Sequence, residues 1–130
     1  MRFPAALVVD DDVAIRETLH QLLEDEGYSV AQAPDGVVAL ETLRSTPDRM
    51  VVLLDVMMPR LDGHGVLQAV TDDAQLMRQH RFVVMTAAAN TLSGPLMQLM
   101  RQVDAPALIK PFSIDRLLAL VSEAASQLVN

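Results

Sequence analysis

Short apolar runs alternate along the chain with stretches in which apolar residues recur at helical spacing. The apolar runs have the length of β-strands and are predicted at residues 6–9, 29–33, 50–54, 82–85 and 107–109. Strands that alternate with helices favour a parallel sheet with helices packed on both of its faces. The pattern therefore predicts an α/β fold with a doubly wound, five-stranded parallel sheet.

The helical stretches are bounded by residues that commonly start or stop helices. The clearest one opens after Asp12, a plausible N-cap, and stops at Gly27. Further helices are predicted at 36–45, 66–73 and 114–129, the last one long and amphipathic. The segment 90–103 is left open because Gly94 and Pro95 stand where a fourth helix should begin.

Polar side chains stand at the carboxyl ends of four predicted strands. They are Asp10 to Asp12 after the first strand, Asp55 after the third, Thr86 at the end of the fourth and Lys110 at the end of the fifth. Ligands of doubly wound sheets bind in the crevice beyond these ends, where the strand order reverses. We therefore expect the acids, the hydroxyl and the ammonium group to share one pocket.

This set of side chains suits phosphoryl transfer. Crowded carboxylates repel each other, and a bound divalent cation is the simplest relief. Mg2+ fits because it prefers oxygen ligands and commonly takes one or two carboxylates plus a phosphate oxygen. Lys110 and Thr86 suit phosphoryl oxygens on which charge accumulates. Asp55 would then be the nucleophile that forms an acyl phosphate.

Composition limits the other possibilities. A chain of 130 residues with 51% hydrophobic content is expected to form one domain, spanning residues 1–130. Its net charge of −7 argues against direct binding to nucleic acid. The sequence contains no cysteine and no apolar stretch long enough to cross a bilayer, so we expect a cytoplasmic protein without membrane insertion.

Four motifs together resemble a known family. They are VVDDD (8–12), LLDVMMPRLDG (53–63), MTA (85–87) and KPF (110–112). In this order and spacing the chain resembles the receiver domains of two-component response regulators, exemplified by the bacterial chemotaxis response regulator. The resemblance covers essentially the whole chain and implies a flavodoxin-like (βα)5 fold.

The resemblance also implies a metal site and a phosphoacceptor. Asp55 would be phosphorylated by a sensor histidine kinase or a phosphotransfer protein. Mg2+ would be held by Asp11, Asp55 and the backbone carbonyl of Met57, while Asp10 would act mainly through a water ligand. Such a domain is a regulator and not an enzyme, since it promotes only its own phosphorylation and dephosphorylation.

Other positions follow from the same resemblance. Thr86 falls on the switch threonine of the family and Lys110 on its phosphoryl-contacting lysine, with the bond to Pro111 in the cis form. The turn residues Pro59, Asp62 and Gly63 are expected to shape the loop after Asp55. The output would be a downstream protein or an attached output domain, and the chain would be a monomer or a weak homodimer.

Several residues have simpler structural interpretations. Asp12 is expected to be a helix N-cap and not a metal ligand. His20, His64 and His80 have no spacing suited to a shared metal, so they are expected at the surface or on helices. The methionines at 97 and 100 favour core packing over a partner-binding face.

The sequence departs from the family near the last strand. Ala107 occupies the position where many receivers carry a tyrosine or phenylalanine that couples to the switch threonine. The usual Gly-Ala pair before that strand is replaced by residues 103–106, Val-Asp-Ala-Pro, and the segment 86–110 is longer than expected by about two residues. We therefore expect a non-standard switch, with phosphorylation read out through rearrangement of residues 88–104.

The sequence also bears on three other functions. A haloacid-dehalogenase-type phosphatase needs a second acid two residues after its nucleophile, where this chain has Met57. A flavin or nucleotide binder needs a glycine-rich or hydroxyl-rich loop after the first strand, and the three aspartates there would repel a phosphate. A receiver-like docking module that works without phosphorylation stays open as the alternative.

Overall fold

The computed structural model describes residues 5–128. Its centre is one sheet of five parallel strands in the order β2-β1-β3-β4-β5. The strands are β1 (Ala5–Val9), β2 (Ser29–Ala33), β3 (Met50–Asp55), β4 (Arg81–Thr86) and β5 (Ala107–Ile109). This is the strand order of the flavodoxin-like fold, as the resemblance implied.

Among the described residues, six α-helices cover the two faces of the sheet. They are α1 (Val13–Asp25), α2 (Gly36–Ser45), α3 (Gly63–Thr71), α4 (Ala74–Gln79), α5 (Gly94–Gln102) and α6 (Ile114–Ser126). The apolar residues of α1 and α6 pack on one face, and those of α2 to α5 pack on the other. The central strands β1 and β3 are buried throughout, which explains why they read as continuous apolar runs.

The third predicted helix, 66–73, was placed wrongly. Helix α3 begins at Gly63 because the side chain of Asp62 accepts a hydrogen bond from the amide of Gly65 and caps the helix. A second, short helix follows it, since Asp73 caps α4 in the same way through the amides of Gln75 and Leu76. The acidic residues that were interpreted as a terminus therefore also start a new helix.

The other helix ends agree more closely with the sequence. Asp12 is confirmed as the N-cap of α1, where its carboxylate accepts from the amides of Ala14 and Ile15. Helix α5 begins at Gly94 and has a proline in its first turn. Proline lacks a backbone N–H, and this costs nothing there because the first N–H groups of a helix have no acceptor within the helix. Helix α6 ends at Ser126, and the predicted residue 129 lies outside the described residues.

The loop before β5 holds a residue with left-handed backbone geometry. Asp104 has φ 57°, a conformation that aspartate tolerates better than most residues. The amide of Ala105 then donates to the carbonyl of Met100 and closes the end of α5. Met100 is buried in the core as expected, whereas Met97 is 43% exposed.

His80 was expected at the surface or on a helix; it directly follows α4 as its C-cap, but it does not lie at the surface. It is buried, its Nδ1 accepts from the amide of Met50 at 3.2 Å, and its Nε2 lies 3.2 Å from the carbonyl of Leu43. A neutral ring with its proton on Nε2 satisfies both groups. Burial lowers the pKa of His80 from its ordinary value of 6.5. The contribution of the neutral ring to the stability of the fold is therefore fully present above pH 6.5 and is lost as the pH falls.

We expect His80→Leu to lower the free energy of unfolding at pH 7.5 by about 3 kcal/mol, because it leaves a buried N–H and a buried carbonyl without partners. Urea denaturation measures the change. His64→Leu is the matched control, since His64 is only half-buried and should change stability by less than about 0.5 kcal/mol. Equal losses in the two variants would show that the His80 hydrogen bonds contribute little.

No helix among residues 5–128 is both long enough and apolar enough to span a bilayer.

Candidate metal and phosphoryl site

The sheet register places two acidic residues side by side. Val9 of β1 pairs with Leu54 of β3, so the next residues along the two strands, Asp10 and Asp55, lie at neighbouring strand ends. Strands β1 and β3 also mark the point where the strand order reverses, because β2 lies on one side and β4 and β5 on the other. The acids therefore lie in the crevice in which doubly wound sheets bind ligands.

Three carboxylates converge there. Asp10, Asp11 and Asp55 each offer one oxygen, and these oxygens all lie within 4.8 Å of one another. Asp10 and Asp55 are buried, whereas Asp11 is exposed. This donor set fits Mg2+, since it supplies hard oxygen ligands and the exposed Asp11 keeps the cluster in contact with solvent.

Lys110 offsets part of the negative charge of this cluster. Its Nζ lies 3.3 Å from Oδ2 of Asp10 and 4.0 Å from Oδ1 of Asp55. The peptide bond between Lys110 and Pro111 is cis, as the resemblance implied, and the amide of Lys110 donates to the carbonyl of Thr86. The ammonium group therefore lies between the acidic residues of β1 and β3.

The electrostatics of the site act most strongly on Asp55. Its burial raises its pKa to about 6, and the neighbouring charge of Asp10 adds to the effect, followed by that of Asp11. Lys110 and the backbone N–H of Met57 act in the opposite direction and lower the pKa. Because burial and the neighbouring acids disfavour the ionised form of Asp55, a cation bound beside it would stabilise that form.

The backbone that carries Asp10 is fixed by contacts that the sequence did not indicate. The amide of Asp12 donates to Oδ1 of Asp10 at 3.0 Å. Arg16 of α1 donates from Nη1 to the carbonyl of Asp10 at 2.8 Å and from Nε to Oε1 of Gln32 in β2. Arg16 therefore ties the first acidic loop to both α1 and the edge strand.

The loop after Asp55 is held by close packing and an ion pair. A Cβ on Gly63 would lie 2.7 Å from the carbonyl oxygen of Asp55, so only glycine fits there. Arg60 has φ 66°, and its Nη2 lies 2.6 Å from Oδ2 of Asp35, whose pKa is lowered by the amide of Val38 and by Arg60. The expected loop-shaping role of Gly63 thus has a physical cause, whereas the Arg60–Asp35 pair was missed.

Met57 and Thr86 are the remaining predicted site residues. Met57 is 65% exposed, and its backbone N–H donates to the carboxylate of Asp55. Thr86 is fully buried at the end of β4, and its hydroxyl hydrogen-bonds atoms of residues 88 and 91. The four chain segments predicted to meet at this edge of the sheet therefore do so, with the hydroxyl of Thr86 held in the β4–α5 loop.

Comparison with known proteins agrees with this geometry. The family model for the response regulator receiver domain matches residues 6–122. Response regulator MprA of Mycobacterium leprae is 43% identical over 122 residues, which cover 88% of this chain and 48% of that protein. MprA of Mycobacterium avium is 43% identical over 120 residues, covering 87% and 47%. The chain thus spans about half the length of the curated relatives that it matches.

Solved structures show the same fold. The chemotaxis protein CheY4 of Vibrio cholerae has a TM-score of 0.79 at 29% identity, covering 95% of this chain and 99% of that one. Response regulator TrrA of Thermotoga maritima, in complex with Mg2+ and BeF, has a TM-score of 0.79 at 28% identity, covering 93% and 98%. The chain belongs to the response regulator receiver domain family of two-component signalling.

Proposed function

We propose that Asp55 is the phosphoacceptor of this receiver and takes its phosphoryl group from a histidine kinase or a phosphotransfer protein. The observation that carries the proposal is the position of Asp55, a buried carboxylate with two further acids and an ammonium group around it. As a member of its family, the chain is a signalling regulator and not a classical enzyme.

In the proposed transfer, an oxygen of Asp55 attacks the phosphorus of a phosphohistidine. The new P–O bond forms as the P–N bond breaks, and the imidazole nitrogen keeps the electron pair. Lys110 would pair with a phosphoryl oxygen, since its Nζ already lies 4.0 Å from Oδ1 of Asp55. Thr86 would supply a hydroxyl donor to the phosphoryl group once it leaves its present hydrogen bonds.

The acidic cluster would hold Mg2+. Asp11, Asp55 and the backbone carbonyl of Met57 are the proposed ligands, with Asp10 acting through water. Three carboxylate oxygens within 4.8 Å of one another support this assignment, because their mutual repulsion needs a counter-charge. When bound, the ion would neutralise charge on the phosphoryl oxygens during transfer.

An apolar groove beside the site supports a protein phosphodonor. It lies between α1 and the start of α6, and Lys110 borders it together with Ile15, Leu22, Phe112 and Ile114. A donor must bring its imidazole to Asp55, so the surface next to Lys110 is the one that it would cover. The exposed apolar side chain of Ile114 suits contact with an amphipathic helix of such a partner.

We also propose that residues 1–130 act as a single receiver domain. Both apolar clusters pack on the same five-stranded sheet, which supports one folding unit for the described residues. The signal would pass to a downstream protein or to an attached output domain.

The readout is proposed to run through residues 88–104, because Ala107 provides no aromatic ring to couple with Thr86. Amide hydrogen exchange with and without beryllofluoride, an acyl-phosphate mimic, tests this. Protection should change in residues 88–104, and unchanged protection there would exclude the segment as the readout.

Incubation with acetyl phosphate and Mg2+, followed by intact mass measurement, tests the proposed function. The chain should gain one phosphoryl group, and EDTA should prevent the gain because the metal is needed to neutralise the site. A chain that folds and binds Mg2+ but gains no phosphoryl group would favour the phosphorylation-independent docking module.

A further inference from the structure

The hydroxyl of Thr86 is enclosed in a small hydrogen-bond cluster. Its Oγ1 accepts from the amide of Ala88 at 3.3 Å and lies 3.0 Å from the carbonyl of the same residue. It also makes a short hydrogen bond to Oγ1 of Thr91, which in turn donates to the carbonyl of Ala88 at 2.7 Å. Two hydroxyls and the backbone N–H and C=O of the exposed Ala88 thus form a closed set.

The cluster uses the one proton that Thr86 can donate. A hydroxyl has a single O–H donor and two acceptor lone pairs. Both hydroxyls lie within donating distance of the Ala88 carbonyl, Thr91 at 2.7 Å and Thr86 at 3.0 Å. The shorter contact favours Thr91 as its donor, which leaves Thr86 to donate to Thr91; in the reverse arrangement Thr86 donates to the carbonyl and accepts from Thr91. In both arrangements a phosphoryl oxygen on Asp55 could receive the Thr86 proton only after a hydrogen bond of this cluster breaks.

We propose that Thr91 is a positioning residue that holds the Thr86 hydroxyl in the β4–α5 loop and opposes its donation to a phosphoryl group on Asp55. The inference rests on the proposed function. It gives a physical basis to the non-standard switch. Ala107 offers no aromatic ring to couple with Thr86, and the hydroxyl of Thr91 in the longer loop would restrain the Thr86 side chain instead.

The same bond would link the site to α5. Thr91 ends a 3-10 turn at Ala89–Thr91, and Ser93 then caps α5 by accepting from the amide of Leu96. A Cβ on Gly94 would meet no other part of the described chain within 4 Å, so packing does not require glycine there. Glycine at the first position of α5 therefore adds backbone freedom near the turn, and release of Thr86 would free the turn to move.

The test compares Thr91→Val with Thr91→Ser in the full chain. Valine keeps the size of threonine and removes the hydroxyl, whereas serine keeps the hydroxyl. With Mg2+ present, Thr91→Val should bind beryllofluoride about fivefold more tightly than the parent, the effect of losing one competing hydrogen bond, and Thr91→Ser should match the parent. Calorimetric titration measures both, and urea denaturation confirms that each variant is folded.

A second pair of variants separates a specific effect from a general one. In a Thr86→Val background, adding Thr91→Val should leave beryllofluoride affinity unchanged, because there is no hydroxyl left to release. Equal affinity of Thr91→Val and the parent, or a gain that persists without the Thr86 hydroxyl, would overturn the inference. A parent chain that neither binds beryllofluoride nor accepts a phosphoryl group would instead remove the proposed function, and the inference with it.

Discussion

Replacement of Asp55 by asparagine should abolish covalent phosphorylation and stabilise the metal-free protein by about 2 kcal/mol at pH 7.5. The first effect follows because an amide offers no carboxylate nucleophile. The second follows from the pKa of Asp55, which is raised to about 6 from an ordinary 3.8. Ionising the buried carboxylate costs free energy that asparagine, of nearly the same shape, does not incur.

Because the pKa of Asp55 is raised, the stability difference between Asp55→Asn and the parent should depend on pH. A carboxyl group with a raised pKa stabilises the folded state below its unfolded pKa, and that stability is lost as the pH rises through the folded value. The difference between Asp55→Asn and the parent should therefore be near zero at pH 4 and should reach its plateau above pH 6. Urea denaturation in EDTA at several pH values measures it.

Asp25→Asn is the matched control, because Asp25 is exposed at the end of α1, away from the acidic cluster. It should leave both the phosphoryl gain and the stability unchanged to within about 0.5 kcal/mol. A stability difference for Asp55→Asn that is constant from pH 4 to pH 8 would contradict the electrostatic explanation. Phosphorylation that survives in Asp55→Asn would assign the phosphoacceptor to another residue.

Lys110→Met should destabilise the metal-free protein by about 2 kcal/mol and slow phosphorylation by about a hundredfold. The buried carboxylate of Asp10 loses the ammonium group that lies 3.3 Å away, which accounts for the lost stability. The pKa of Asp55 should rise further, since Lys110 lowers it in the parent, so less of the nucleophile is ionised. Phosphoryl oxygens also lose a cation.

Mg2+ binding separates this effect from a general loss of structure. With the ammonium group gone, the acidic cluster is more negative, so Mg2+ should bind at least as tightly to Lys110→Met as to the parent. Calorimetry measures the affinity, and phosphorylation is followed by intact mass. Arg116→Met, which removes an exposed cation from α6, should change neither property. Weaker Mg2+ binding to Lys110→Met, or an unchanged phosphorylation rate, would count against the assigned role.

Much of the fold could be predicted because its signals are local. Apolar runs buried on both faces identified β1 and β3, and Asp12 and Gly27 bounded α1. Because the strands are parallel, their ends had to meet at one edge of the sheet, so Asp10, Asp55 and Lys110 could be placed together before any distance was known.

The missed features depend on contacts between distant parts of the chain. His80 bonds the amide of Met50 and lies beside the carbonyl of Leu43, and neither backbone group has a signature in the sequence. Arg60 reaches Asp35 across the sheet edge because of a left-handed backbone that non-glycine residues seldom adopt.

Thr91 could not be selected from sequence for a related reason. It is one hydroxyl residue in an exposed segment, and its importance depends on a 3-10 turn that brings it to Thr86. The same applies to α4, whose start depends on whether Asp73 ends one helix or caps the next.

A crystal structure with Mg2+ and beryllofluoride would test most directly whether the side chains of this sheet edge gather around one cation and one phosphoryl group. We predict beryllium bonded to a carboxylate oxygen of Asp55, Mg2+ bound by Asp11, Asp55 and the carbonyl of Met57, and Nζ of Lys110 at a fluorine atom. Beryllofluoride absent from Asp55 at saturating concentration, or Mg2+ bound away from Asp11, would contradict the assignment.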